Sequence, residues 1–165
     1  MTQDARIALS QLANSAAIRP ADYGDVDAIV ELGRAFVSVS DMEALAAFCQ
    51  ESLTGSIHSM VDAPNAILMV AEDAGQIVGM AGAMIFPAYW NKNIIIGQET
   101  FFWVQPDHRG KFGGALLAAL EDEARVRGAR TFLMVSLEAL RPEAVGKLYQ
   151  RRGYAPLEHS YWKAL

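Results

Sequence analysis

Cysteine, long apolar runs and metal-ligand spacing are scarce or missing in this 165-residue chain. Its single cysteine, Cys49, excludes an internal disulfide and any multi-cysteine metal site, and reads as a small buried hydrophobe. The three histidines, His58, His108 and His159, share no ligand spacing and no His-Glu-x-x-His pair exists, so no metal is expected. No apolar stretch approaches the ~20 residues of a bilayer span. Met1–Ser15 carries Asp4 early and lacks the extended apolar core of a signal peptide. These absences lead us to expect a soluble, cytoplasmic protein with no membrane partner.

Other signatures are missing too. No Gly-Lys-Ser/Thr ending or full Rossmann glycine spacing occurs, which disfavours nucleotide hydrolysis. No nucleophile elbow occurs and Cys49 has no identifiable base beside it, which disfavours covalent catalysis. There is no internal repeat, low-complexity segment or Pro/Gly/Ser linker. The chain therefore reads as a single domain over residues 17–165 behind a flexible segment 1–16. With 52% hydrophobic and 20% charged residues, it can offset its ordering entropy by burying apolar surface.

What is present is unevenly charged. The net charge is −5, yet Pro20–Glu99 holds eleven acidic residues against two basic ones, while Gln105–Arg152 holds nine basic against six acidic. This is either an ordinary salt-laced surface or a bipartite site whose C-terminal half holds an anion and whose N-terminal half attracts a cation. The basic excess is small and lacks interleaved aromatics, so nucleic acid is not an expected partner.

Spacing then predicts the elements. Ala17–Arg19 reads as a first strand stopped at Pro20. A helix follows with Val26, Ile29, Val30, Gly33 and Phe36 on one face and Asp22 or Asp25 as N-cap. Ser40-Asp41-Met42-Glu43 matches a capping box, and Leu45, Phe48, Cys49 and Leu53 continue a helical face to about Gly55. Ile67–Glu72 and Gln76–Phe86 read as strands joined at Asp73-Ala74-Gly75, and Ile94–Val104 as a third, long strand. A turn over Gln105–Gly110 leads to a helix bearing Leu116, Leu117, Leu120 and Ala124, stopped at Gly128. Thr131–Ser136 reads as a strand, Arg141-Pro142-Glu143 opens a helix that stops at Gly153, and Glu158–Lys163 reads as a last strand. A βαβ unit joined to an antiparallel meander is a mixed α/β architecture.

Where the long strand feeds its helix stands His108-Arg109-Gly110-Lys111-Phe112-Gly113-Gly114-Ala115. Backbone N–H groups at a helix start, glycines that admit a ligand, and the charges of Arg109 and Lys111 suit a pyrophosphate; glycines there for steric reasons alone are the plainer reading. On these residues the chain resembles the GNAT superfamily of N-acetyltransferases, whose Arg/Gln-x-x-Gly-x-Gly/Ala signature is matched at Arg109 and Gly114, with Phe112 in place of the first glycine. Ile18-Arg19-Pro20 before an Asp-rich helix start, and Leu148-Tyr149-Gln150-Arg151-Arg152-Gly153-Tyr154, resemble the family's first elements and its late Leu-Tyr-x-x-x-Gly-aromatic segment. The likeness spans roughly Ile18–Lys163 in the family's element order.

The resemblance implies a mixed, mainly antiparallel sheet with helices on both faces, and direct acetyl transfer from acetyl-CoA to an amine without an acyl-enzyme. It implies that the backbone of Trp103 and Val104 holds the pantetheine and that Arg109, Gly110, Lys111, Gly113 and Gly114 surround the pyrophosphate. Glu99 falls where many members place the general base, its other reading being a solvent-facing strand glutamate. Tyr149 falls at the position of the acid that protonates the departing thiolate, its other reading being core packing. Arg141 stands near the family's pantetheine-binding asparagine and is either a phosphate contact or a solvent-exposed arginine. Ser38–Asn65 and a loop Pro87–Asn93, with Tyr89 and Trp90, lie where the family builds its acceptor site. Homodimers are common in the family. The other readings are a non-catalytic acyl-CoA-binding or regulatory module, and an acyltransferase with a different acyl group or acceptor.

Overall fold

The computed structural model describes residues 16–163. Of the segment expected to be flexible, 1–16, all but Ala16 lies outside them. Five strands, β1 (Ala16–Pro20), β2 (Ala66–Asp73), β3 (Gln76–Ala88), β4 (Asn91–Val104) and β5 (Ala129–Leu133), form one sheet in chain order. The first four run antiparallel, and β4 and β5 run parallel. Helices α1 (Val26–Val39) and α2 (Gln50–Asp62) link β1 to β2, α3 (Arg109–Val126) is the crossover from β4 to β5, and α4 (Pro142–Arg151) follows β5.

The apolar run Ala66–Ala71 is continuous because both faces of β2 are covered. Ile67, Met69 and Ala71 pack with Phe112, Leu116 and Leu120 of α3, and Leu68 and Val70 pack with Val26, Ile29 and Val30 of α1 and Ile57 of α2. Each large side chain so enclosed contributes about 1.5–3 kcal/mol. The resemblance anticipated this mixed sheet with helices on both faces.

Asp25 stands at the N-cap of the first helix but its side chain makes no cap bond to it; the two candidate aspartates instead form a capping box on the turn before it. A 3-10 turn, Tyr23–Asp25, precedes α1; the Asp22 carboxylate accepts from Gly24 N–H at 2.7 Å, and that of Asp25 accepts from Asp22 N–H at 2.9 Å. Arg19 donates twice to Asp25, at 2.7 and 2.8 Å, and once to Glu72 at 2.9 Å, tying β1, β2 and the α1 start together. That guanidinium holds the Asp25 carboxyl below the ordinary range.

The segment after α1 departs from the expected helix Ser40–Gly55. The first helix runs on to Val39, so Ser40 ends it, its hydroxyl donating to Val37 O at 3.4 Å, and Asp41 turns the chain with φ 59°. Only one 3-10 turn, Met42–Ala44, follows, and Leu45 is left half exposed. The helix resumes at Gln50 and passes Gly55 to end at Asp62. Cys49, just before it, is exposed rather than buried, and Ser52 Oγ lies 3.1 Å from its sulfur.

Three further boundaries differ. The expected loop Pro87–Asn93 is a tight hairpin turn, since β3 runs to Ala88 and β4 starts at Asn91. Strand β5 covers Ala129–Leu133, two residues earlier at its start than the expected Thr131–Ser136. Residues 154–163 form no strand, so the expected Glu158–Lys163 strand is not found, and Leu157, Tyr161 and Trp162 are exposed. Their apolar residues meet no facing strand along which alternation could be used.

Candidate active site

Beyond its midpoint, β4 keeps β3 and loses its second partner, β5. Ala83 faces Glu99 and Gly82 faces Phe101, so Thr100 is an extra residue, a β-bulge. Only glycine fits opposite it: a Cβ on Gly82 would lie 2.6 Å from the Phe101 ring and 2.7 Å from Thr100 Oγ1. Pairing of β5 with β4 runs from Ile95 to Gln98, so the strands part at Glu99 and leave the remainder of β4 without a strand on that side.

Both proposed catalytic side chains reach the same residue in this opening. Val135 N–H donates to Glu99 Oε2 at 2.8 Å, and Tyr149 OH donates to Val135 O at 2.9 Å. Burial pushes the Glu99 carboxyl up to about 7, against the smaller opposing effect of the Val135 N–H. The Tyr149 hydroxyl is raised by burial first and by the nearby Glu99 carboxylate second, so it keeps its proton at neutral pH. Tyr149 is the buried residue of α4. A polar tie fixes that helix: Arg152 donates to Glu121 of α3 at 2.6 and 3.0 Å, and Tyr154 OH donates to the same carboxylate at 2.9 Å.

The expected Gly-rich loop is already helical. A 3-10 turn, Pro106–His108, leads straight into α3, so Arg109–Gly114 are its first turns. Phe112 points inward, 3% exposed among Ile67, Leu116 and Leu120, so the residue standing for a glycine faces the core. An added Cβ at Gly110, Gly113 or Gly114 would stand in open space. The two cations are both engaged within the protein. Arg109 Nε donates to Val104 O at 3.0 Å with its guanidinium 4.6 Å from the Trp103 ring, and Lys111 Nζ lies 2.8 Å from Asp73 Oδ1. His108 Nε2 is 3.6 Å from the other Asp73 oxygen. Trp103 packs against α1 with its ring 5.8 Å from Phe36, while Val104 packs on the α3 side.

The arrangement suits an extended ligand with an anionic end. A helix start with its positive dipole end and open glycines can hold a pyrophosphate, the unpaired reach of β4 can hold an extended arm, and the opening at Glu99 can hold the reacting group. Arg141 is exposed, its backbone is left-handed with φ 50°, and it lines a groove of about 440 Å³ with Pro142, Glu143, Ala144 and Lys147. Tyr89 and Trp90, stacked edge to face at 4.7 Å, are exposed at the hairpin tip. Sequence reasoning missed Val135, which acts through its backbone, and Asp73 and Glu121, whose partners lie 38 and 31 residues away. No side-chain pattern signals such contacts.

Among the described residues no cluster of three or more His, Cys, Asp or Glu could hold a metal, and no helix is long and apolar enough to cross a membrane. The family model for the acetyltransferase (GNAT) domain matches residues 64–156. No curated protein matches the sequence. Among solved structures, a predicted acetyltransferase from Clostridium acetobutylicum, with acetyl-CoA, superposes with TM-score 0.67 at 22% identity, covering 92% of this chain and 96% of its own. A ribosomal-protein-alanine N-acetyltransferase from Brucella melitensis gives 0.68 at 20% identity, covering 92% and 100%. An aminoglycoside 6'-N-acetyltransferase from Acinetobacter haemolyticus gives 0.69 at 18%, covering 90% and 97%. These likenesses show the fold.

Proposed function

This chain belongs to the GNAT acetyltransferase family, which carries out acetyl-CoA-dependent acetyl transfer, and we propose that it acetylates a primary amine of a small molecule or a protein. The observation that carries the reading is the meeting of Glu99 and Tyr149 on Val135 where β4 and β5 part. An ammonium has no lone pair, so the acceptor must lose a proton before it attacks. A carboxyl pushed up to about 7 is suited to accept that proton near neutral pH. The amine nitrogen then bonds the acetyl carbon as the carbon–sulfur bond breaks, and the nitrogen gives up its second proton to water to leave the neutral amide. Tyr149 gives its proton to the departing sulfur and regains one from water. The Tyr149 hydroxyl carries its proton at neutral pH and so is present as a donor, while its upward shift makes transfer to a thiolate with a reference pKa of about 8.5 an uphill step.

Acetyl-CoA, when bound, supplies the activated thioester; the chain's own residues supply position. In this reading the first turns of α3, with Arg109, Gly110, Lys111, Gly113 and Gly114, surround the pyrophosphate, and the backbone of Trp103 and Val104 holds the pantetheine. Holding both reactants in line does most of the catalysis. The acidic balance of Pro20–Glu99 supports a cationic acceptor, and a cytoplasmic setting suits a soluble co-substrate.

The test is thiol release from acetyl-CoA across a panel of amines, paired with calorimetric titration of CoA. We expect release with at least one amine. Tyr149→Phe is expected to lower kcat by about 10²–10⁴-fold with CoA affinity little changed. Binding without release from any amine would contradict catalysis, and a large loss of CoA binding in Tyr149→Phe would assign that residue to structure.

A further inference from the structure

We propose that Asp73 is a built-in rival of the phosphate for Lys111 and so weakens the hold of the α3 start on CoA; this rests on the cofactor reading above. Asp73 is the last residue of β2, and the turn behind it is tight, with Ala74 at φ 51° and Gly75 at φ 79°. Its carboxylate is 23% exposed and engaged on both oxygens, by Lys111 Nζ at 2.8 Å and His108 Nε2 at 3.6 Å. The Lys111 side chain is 55% exposed, so the lysine is the partner free to move. The neighbouring Glu72 carboxylate is occupied by Arg19, which leaves Lys111, among the described residues, as the cation paired with Asp73, with the His108 imidazole beside it.

The consequence follows from charge counting. When Lys111 turns to a phosphate it must leave or share the Asp73 carboxylate, and the strength of that pair is subtracted from what the lysine contributes to the phosphate. Asp73 thus offsets part of what the lysine contributes and leaves the CoA product easier to release. It touches neither reacting group, so it is a positioning residue that acts through Lys111.

Calorimetric titration of the full chain with CoA at low and moderate salt tests this. Asp73→Asn keeps a residue suited to the turn and removes the charge. We expect it to lower the Kd for CoA roughly two- to fivefold at low salt, an effect in the range of an exposed ion pair, and the gain to shrink as salt rises. Asp73→Glu should stay near the original affinity, and Asp73→Asn in a Lys111→Met background should change little. An unchanged or higher Kd in Asp73→Asn, or an equal gain without Lys111, would overturn the proposal while leaving the cofactor reading intact. Absence of CoA binding in both the original protein and Asp73→Asn would overturn both.

Discussion

Strands β2 and β3 with the helices that cover them, and the edge made by β5, α4 and residues 154–163, are built in different ways. Strands β2 and β3 are enclosed on both faces, with Ile67, Val70, Ala71, Ala81 and Ala83 essentially inaccessible. In β5, α4 and residues 154–163 the packing thins: no residue of β5 is buried, α4 buries Tyr149, and Tyr161 is 94% exposed. The first region is held by apolar area and the second by a few directed polar contacts. A closely packed part that carries Glu99 on its rim, facing a thinly packed part that carries Tyr149, suits the proposed site, which would admit and release two substrates.

The contrast can be broken most severely in the enclosed half. Leu120→Ala, in a side chain with no exposure, is expected to cost about 2–5 kcal/mol in chemical denaturation, whereas Leu157→Ala in the exposed tail should stay within about 0.5 kcal/mol. Equal effects would remove the distinction. Next in size is the tie between α3 and α4. Glu121→Ala deprives Arg152 and Tyr154 of their shared acceptor and should cost about 1–3 kcal/mol. It should also speed amide exchange in α4 while β2 and β3 remain protected.

A further expected effect concerns Glu99 and is read against pH. Its carboxyl titrates near 7 in the folded chain and at an ordinary 4.5 when unfolded. Between those values the unfolded chain has released a proton that the folded chain still holds, so the native state loses stability as pH rises through the window. Glu99→Gln cannot ionise and can still accept from Val135 N–H. Its Tm should match the original protein below about pH 4.5 and rise above it from pH 7 upward. A constant difference across that range would mean that Glu99 is not perturbed by its setting.

What the sequence made legible follows the same division. Where side chains pack at regular spacing, as in β2, β3 and α3, the pattern predicts the element. The Asp73-Ala74-Gly75 turn and the Asp22/Asp25 cap are also legible, because their local chemistry has few alternatives. Ser40–Glu43 misled because a capping pattern was present while the preceding helix had not yet ended. At 158–163 a strand-like pattern lacks the neighbour that would make it a strand. For the site, Glu99 and Tyr149 were legible as candidates through resemblance. Their convergence on Val135, the bulge at Thr100 and the Asp73–Lys111 pair were not, because these depend on backbone register and on residues far apart in the chain.

The most direct test of the central claim, that the β4–β5 opening is where acetyl transfer occurs, is the pH dependence of kcat/KM for the original protein and Glu99→Gln with an accepted amine. The original protein should show an acidic limb with a midpoint near 7, set by Glu99. In Glu99→Gln that limb should be gone, leaving a lower rate that climbs with deprotonation of the amine itself. The same limb in both proteins would contradict that claim.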